Sequence, residues 1–197
     1  MKIDMHVHAQ ERSFCSRSSE EEMIQAAITA GLDALVFTDH DRLVPRARLT
    51  TLNVRYAPFR VFGGIEVSLG LEHILVFGVQ DPALEDGNWT YHELHDFVEA
   101  RQGFLALAHP YRFRRRLHLD FMRLPPHGAE LRSHNTPKRA ASRIRDLASE
   151  LDLVLLCNSD AHHVSDIGTY YNVIDEIPED DAGLVAALTS GALRCPS

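Results

Sequence analysis

A chain of 197 residues, 45% of them hydrophobic, carries enough apolar side chain to fill one core of ordinary size, and two independent catalytic domains would be cramped. Its formal net charge of -8 argues against a broad basic surface for long nucleic acid, which needs many Lys and Arg to displace counterions. No apolar run approaches the ~18 residues of a membrane span, and the start Met1-Lys2-Ile3-Asp4 puts an acid where a signal peptide needs an apolar core. The expectation is a soluble cytoplasmic protein.

Ile3-Asp4-Met5-His6-Val7-His8 alternates apolar and polar residues with the period of a strand. Ser19 with Glu22 forms a capping box, acids crowd the turn that follows, and Gly31 stops the helix. Residues 34–38 make a short run without alternation, as in a strand covered on both faces. Similar runs lie at 60–65, 74–79, 104–108 and 153–157. Thr90 with Glu93 opens a helix that ends before Gly103, Thr136-Pro137 opens another over 138–150, and a last helix over 181–189 is stopped by Gly191. Residues 111–135, with Arg112 and Arg114-Arg115-Arg116, form the longest irregular piece, and long loops in compact domains tend to carry function. Strands alternating with helices predict an α/β fold: a closed or distorted barrel rather than a small open sheet, in a single domain over residues 1–197. Cys15, Cys157 and Cys195, odd in number, widely spaced and without a Cys-x-x-Cys pair, read as free thiols.

Almost every apolar run ends in a histidine or a carboxylate: His6 and His8, then Asp39 and His40, Glu66, His109, and finally Asp160 and His162. In parallel α/β folds the carboxyl ends of the strands share one face, so these side chains should converge there. His6 and His8, two apart on a strand, point to one side and can reach one metal ion or two adjacent ones. A lone histidine is more often a hydrogen-bonded residue than a ligand. His92, His95, His118, His127, His134 and His163 take that plainer reading. His73 precedes its apolar run, the wrong end for a ligand unless that strand runs antiparallel. Arg112, two residues after His109-Pro110, and Arg17 in the first loop are candidates for a phosphate, while Arg114 to Arg116 read as a solvated surface. Asp39 is either a partner or proton carrier for the site, or a capping acid.

On those residues the sequence resembles the PHP (polymerase and histidinol phosphatase) superfamily of metal-dependent phosphoesterases. The matching segments are Asp4-Met5-His6-Val7-His8, Thr38-Asp39-His40-Asp41, Gly64-Ile65-Glu66, His109-Pro110 and Ser159-Asp160-Ala161-His162, in the family's order across nearly the whole chain. The resemblance implies a distorted (β/α)7 barrel with two or three divalent ions (zinc, manganese or iron). His6, His8, Glu66 and Asp160 would hold one ion, Glu66 would bridge to a second held by His73 and His109, and His40 and His162 would serve a third. Many members place an acid or histidine six positions beyond the second histidine of the pair. Here that residue is Phe14, which leaves Glu11 or Cys15 as a substitute, or a weak third site. Two ions sharing Glu66 imply an ionised water placed between them for in-line attack on phosphorus. The function implied is hydrolysis of small phosphomonoesters, nucleotide or histidinol-phosphate-like. Alternatives are a nuclease or phosphodiesterase acting on short nucleic acid and a non-catalytic metal-binding regulatory domain. A small phosphorylated substrate is the expected partner, with no membrane and no preference as to oligomeric state.

Overall fold

In the computed structural model, which describes residues 1–196, the chain opens with β1 (Lys2–Val7), α1 (Glu20–Thr29) and β2 (Ala34–Phe37). Ser19 caps α1 through the reciprocal hydrogen bonds with Glu22 that the sequence predicts. A helix absent from the sequence reading follows, α2 (Arg46–Tyr56), which has no side-chain cap and only Leu52 fully buried. Then come β3 (Arg60–Leu69), β4 (Glu72–Phe77), α3 (Tyr91–Glu99) behind its Thr90–Glu93 capping box, and β5 (Phe104–Ala108). The predicted irregular piece contains a strand, β6 (Gly128–Arg132); α4 (Ala141–Leu151), β7 (Val154–Cys157), β8 (Asn172–Val173) and α5 (Asp181–Thr189) complete the chain.

The strands form one sheet in the order β7-β6-β5-β4-β3-β2-β1-β8. All neighbouring pairs from β1 to β7 are parallel except those of β4, which runs antiparallel to both β3 and β5; β8 is antiparallel to β1. The sheet nearly closes on itself, as expected for a distorted PHP-like barrel. Val7 bridges Ala161 beyond β7, with His8 N–H donating to Ala161 O at 3.0 Å and Ala161 N–H to His6 O at 3.2 Å. Lower on the seam, Asn172 of β8 pairs through its backbone with Ile3, while its side-chain amide exchanges two 2.8 Å hydrogen bonds with the backbone of Cys157. One amide side chain thereby continues the ladder where no backbone reaches.

Three apolar layers hold the barrel. Val7, Leu35, Phe37 and Val61 pack outward on α1 and α2, and Ile65, Val67, Ile74, Val76, Leu105, Leu107 and Ala129 pack outward on α3 and α4. Inside, Ile3, Met5, Val36, Phe62, Phe77 and Phe104 fill the lower half, closed by Leu184 and Leu188 of α5. Gly78, at φ +79°, lets α5 approach, because a Cβ there would stand 2.3 Å from Val185 Cγ2. The upper interior is what remains for polar side chains.

The expectation of three free thiols is overturned: Cys157 and Cys195 form a disulfide, with Cα atoms 5.3 Å apart, and only Cys15 is free. The C-terminal segment folds back to pair Arg194 with Val173, and this carries Cys195 to the end of β7 across 38 positions. Spacing along the chain holds no trace of that approach.

Candidate metal centre

Glu66 sits inside the barrel on β3, fully buried, with three groups of histidines around it. Its Oε1 lies 2.9 Å from His73 Nδ1 and 2.9 Å from His109 Nε2. Its Oε2 lies 3.2 Å from His6 Nε2, 3.2 Å from His8 Nε2 and 3.1 Å from His40 Nδ1. Asp160, from the turn after β7, places Oδ1 at 3.3 Å from His6 Nε2 and 3.2 Å from His8 Nε2. His162 stacks close to His8, ring centroids 4.3 Å apart. All eight predicted ligands therefore meet. The antiparallel course of β4 explains His73: the start of that strand lies beside the ends of its neighbours, with His73 opposite Ser68 of β3 and Ala108 of β5.

Three overlapping donor sets have their ligand atoms within 4.8 Å of one another: His6, His8, Glu66 and Asp160; His40, Glu66 and His73; and His8, His40 and His162. The first is the set that the resemblance implies. In the second, His40 joins Glu66 and His73, with His109 touching the same carboxylate oxygen. In the third, His8 takes the part reserved for a residue of the first loop. Phe14 points fully into solvent, and Glu11 is engaged elsewhere, accepting the Glu20 N–H at 3.0 Å. Cys15 borders the neighbouring cleft and is in none of these sets.

Behind the ligands stands a layer of hydrogen bonds that orients them. Glu130, fully buried on β6, accepts from His6 Nδ1 at 2.8 Å, from Asn158 Nδ2 at 2.8 Å and from the His109 backbone N–H at 2.7 Å. A proton fixed on His6 Nδ1 leaves the Nε2 lone pair aimed at Glu66 and Asp160, as a metal ligand requires. Ser13 does the same for His8: its Oγ donates to Asp39 Oδ1 at 2.8 Å and accepts the His40 backbone N–H at 3.1 Å, so His8 Nδ1, at 3.3 Å, is its donor. Asn135 donates to Asp160 Oδ2 at 2.7 Å. His109 and Asp160 both hold positive φ, +29° and +55°, a costly conformation for residues other than glycine that clusters at functional sites. Sequence reasoning missed Glu130 because its strand was missed.

Asp39 is placed differently from a proton carrier. Its carboxylate is buried and saturated, accepting from Ala9 N–H and Arg12 Nε at 2.7 Å each as well as from Ser13, and it caps no helix. It meets the cluster through Ser13. Arg17 and Arg112 both border an open cleft of about 460 Å3 beside the cluster, shared with Cys15, His134, Asn135, Asp160 and His162. Arg112 Nη1 lies 3.9 Å from Asp160 Oδ2. A larger cleft of about 560 Å3, between α2 and the start of β3, contains none of the predicted residues.

The electrostatics favour bound cations. Burial alone would raise both carboxylates, but the histidines around Glu66 and Asp160 hold them well below the usual range. Burial opposes charge on His6 and His8 too; the surrounding carboxylates outweigh it and raise both, His8 to about 9. His40 is pushed down to about 4, chiefly by burial, and His162 is lowered for the same reason, which leaves both neutral and free to ligate. His8 Nε2 and Asp160 Oδ1, buried and facing each other at 3.2 Å, have no partner with hydrogen-bond geometry. Imidazole and carboxylate donors left so suit a divalent metal ion.

A PHP-associated family profile matches residues 138–193, which span α4, β7, the Asp160–His162 turn and α5. Over that stretch, a little over a quarter of its length, the chain is similar to the PHP-associated family. No curated protein matches the sequence. Among solved structures, a two-domain protein from Bacteroides vulgatus ATCC 8482, described as containing a predicted PHP-like metal-dependent phosphoesterase, superposes with a TM-score of 0.73 at 13% identity; the match takes in 100% of this chain and 64% of that one. PsfC from Pseudomonas syringae PB-5123 gives 0.68 at 19% identity, over 95% and 88%. An amidohydrolase from Chromobacterium violaceum with bound sulfate and no metal gives 0.65 at 16%, over 100% and 99%. At such identities the likeness is one of fold. The PHP barrel and its strand-end donors together make this a centre suited to divalent metal ions.

Proposed function

We propose that this protein is a member of the PHP superfamily and a metal-dependent hydrolase of small phosphomonoesters. The observation that carries the reading is Glu66, whose two carboxylate oxygens address separate histidine groups, His73 and His109 on one side, His6, His8 and His40 on the other. Such a carboxylate would join two divalent ions, which when bound supply a water of lowered pKa and neutralise phosphoryl oxygens. The chain's own residues do the rest. His6 and His8 are held in the ligating tautomer by Glu130 and Ser13, and Asp160 by Asn135. Arg17 and Arg112 bring cationic donors to the adjoining cleft, where a phosphate fits and a neutral amide would leave them unused. A protein of this fold holds sulfate, an anion of phosphate's shape. The cleft is small and the net charge is -8, which favours a compact substrate over long nucleic acid.

The test is Glu66→Gln, assayed for metal content and for phosphate release over nucleotides, sugar phosphates and amino-acid-derived phosphates. A neutral amide bridges two cations poorly, so metal content and turnover fall together, turnover by about two orders of magnitude or more, as several kcal/mol of charge stabilisation implies. Full metal occupancy with normal turnover would remove Glu66 from the bridge. Release from oligonucleotides alone would replace the monoesterase with a nuclease.

A further inference from the structure

Of the nine phenylalanines, only Phe14 and Phe113 are exposed, and both stand in loops that border the centre. A single exposed apolar side chain is ordinary. Phe113 differs in its company. Its ring centroid lies 5.8 Å from that of His73 and 6.2 Å from that of His109, the two histidines on the Oε1 side of Glu66. The guanidinium carbon of Arg112 lies over the same ring, 4.8 Å from its centroid. Phe113 is nonetheless 48% exposed. A phosphorus held at Glu66 therefore has, on its His73–His109 side, an open aromatic ring next to a cation.

We propose that Phe113, with Arg112, is the platform for the leaving group, and that the esters hydrolysed carry a planar aromatic or heteroaromatic ring close to the phosphate. This rests on the phosphoesterase reading of the centre. Arg112 is partly exposed and lies between the ring and Asp160, so a phosphate draws the guanidinium toward itself and leaves the ring face to the substrate. Aromatic pairs at centroid separations of ~4.5–7 Å gain from offset or edge contact, and a saturated ring of the same size offers no flat face to match. In the reaction, water oxygen forms a bond to phosphorus, the bond from phosphorus to the leaving oxygen breaks, and that oxygen takes a proton. The products are inorganic phosphate and a free aromatic alcohol or phenol, the latter still against Phe113.

The experiment uses the metal-loaded protein and two probes that cannot be hydrolysed, phenylphosphonate and cyclohexylphosphonate, titrated calorimetrically. Base-on-aromatic stacking predicts about tenfold tighter binding of the phenyl compound. Phe113→Ala abolishes that preference and Phe113→Trp keeps it. Equal affinity for the two probes, or a preference that survives Phe113→Ala, overturns the platform and leaves the phosphoesterase reading standing. If neither phosphonate binds, the anion site itself is wrong and the platform falls with it.

Discussion

The two loops that border the cleft are built on opposite plans. The one after β1 is fastened from behind: Asp39 takes hydrogen bonds from Ala9, Arg12 and Ser13, Arg12 continues to Glu20 at 2.9 Å, Glu20 pairs with Arg48 of α2, and Ser16 Oγ donates to His8 O at 3.0 Å. The one after β5 is tethered at fewer points, with Glu72 accepting the His118 N–H and Tyr91 donating to Leu124 O, each at 2.9 Å. It leaves Phe113 and Arg114 to Arg116 in solvent. Polar groups in the first loop are spent on each other, so that loop fixes where His8 and His40 point. In the second, the side-chain contacts within the loop, Arg114 with His118 and Asp120 with the Arg123 N–H, lie in solvent, so they hold it less firmly and leave it open to a substrate.

The largest expected effect breaks the first loop. Asp39→Ala takes away the partner of Arg12 Nε, leaving that guanidinium, whose side chain is 11% exposed, with Glu20 alone, and leaves the Ala9 N–H without an acceptor. Removing one partner of a buried pair costs about 3–5 kcal/mol. Arg115→Ala, in the second loop, changes stability by no more than about 0.5 kcal/mol, as for surface sites without such features. Urea denaturation of the two variants measures the difference directly. Similar losses would mean that the loops are not built differently after all.

A smaller effect separates orientation from ligation. In Glu130→Leu the acceptor of the His6 Nδ1 proton is removed, so nothing holds the proton there and the ring can carry it on Nε2, which blocks the ligating atom. Substitutions in this layer typically weaken metal binding by about 10–100-fold. Zinc titration reads the affinity, and nitrogen-15 shifts of the His6 ring read the tautomer. Weaker binding without the tautomer change would make Glu130 a packing residue.

Much of this centre was legible in the sequence because its ligands sit where strands end, and a strand end is marked by an apolar run giving way to His, Asp or Glu. His6, His8, His40, His109, Asp160 and His162 were found in that way. Glu66 was found despite lying in mid-strand, since β3 continues to Leu69 to pair with β4. His73 needed the resemblance, because strand polarity is a tertiary property. The capping boxes of α1 and α3 were readable because they are closed within four residues. The helix α2 lacked any such local signal. Strand β6 was hidden by Glu130: a carboxylate breaks the apolar run, and only the finished barrel supplies the His6, His109 and Asn158 donors that let it be buried. The disulfide, likewise, depends on where the C-terminal segment folds.

The last effect belongs to the second loop alone. Arg112 has 29% side-chain exposure and stands 3.9 Å from Asp160, too far for a hydrogen bond, so its contact there contributes little to stability. Its contribution should come with the substrate. A charge-assisted hydrogen bond to a phosphoryl oxygen is worth about 1.5–3 kcal/mol, so Arg112→Ala lowers kcat/KM by about ten- to a hundredfold while the unfolding midpoint stays where it was. Because the guanidinium is partly exposed, rising ionic strength should erode the wild-type advantage and leave the variant nearly indifferent to salt. Kinetics across a salt series check both halves. If Arg17→Ala showed that pattern and Arg112→Ala did not, phosphate recognition would belong to the fastened loop, and the division of labour between the two would be reversed.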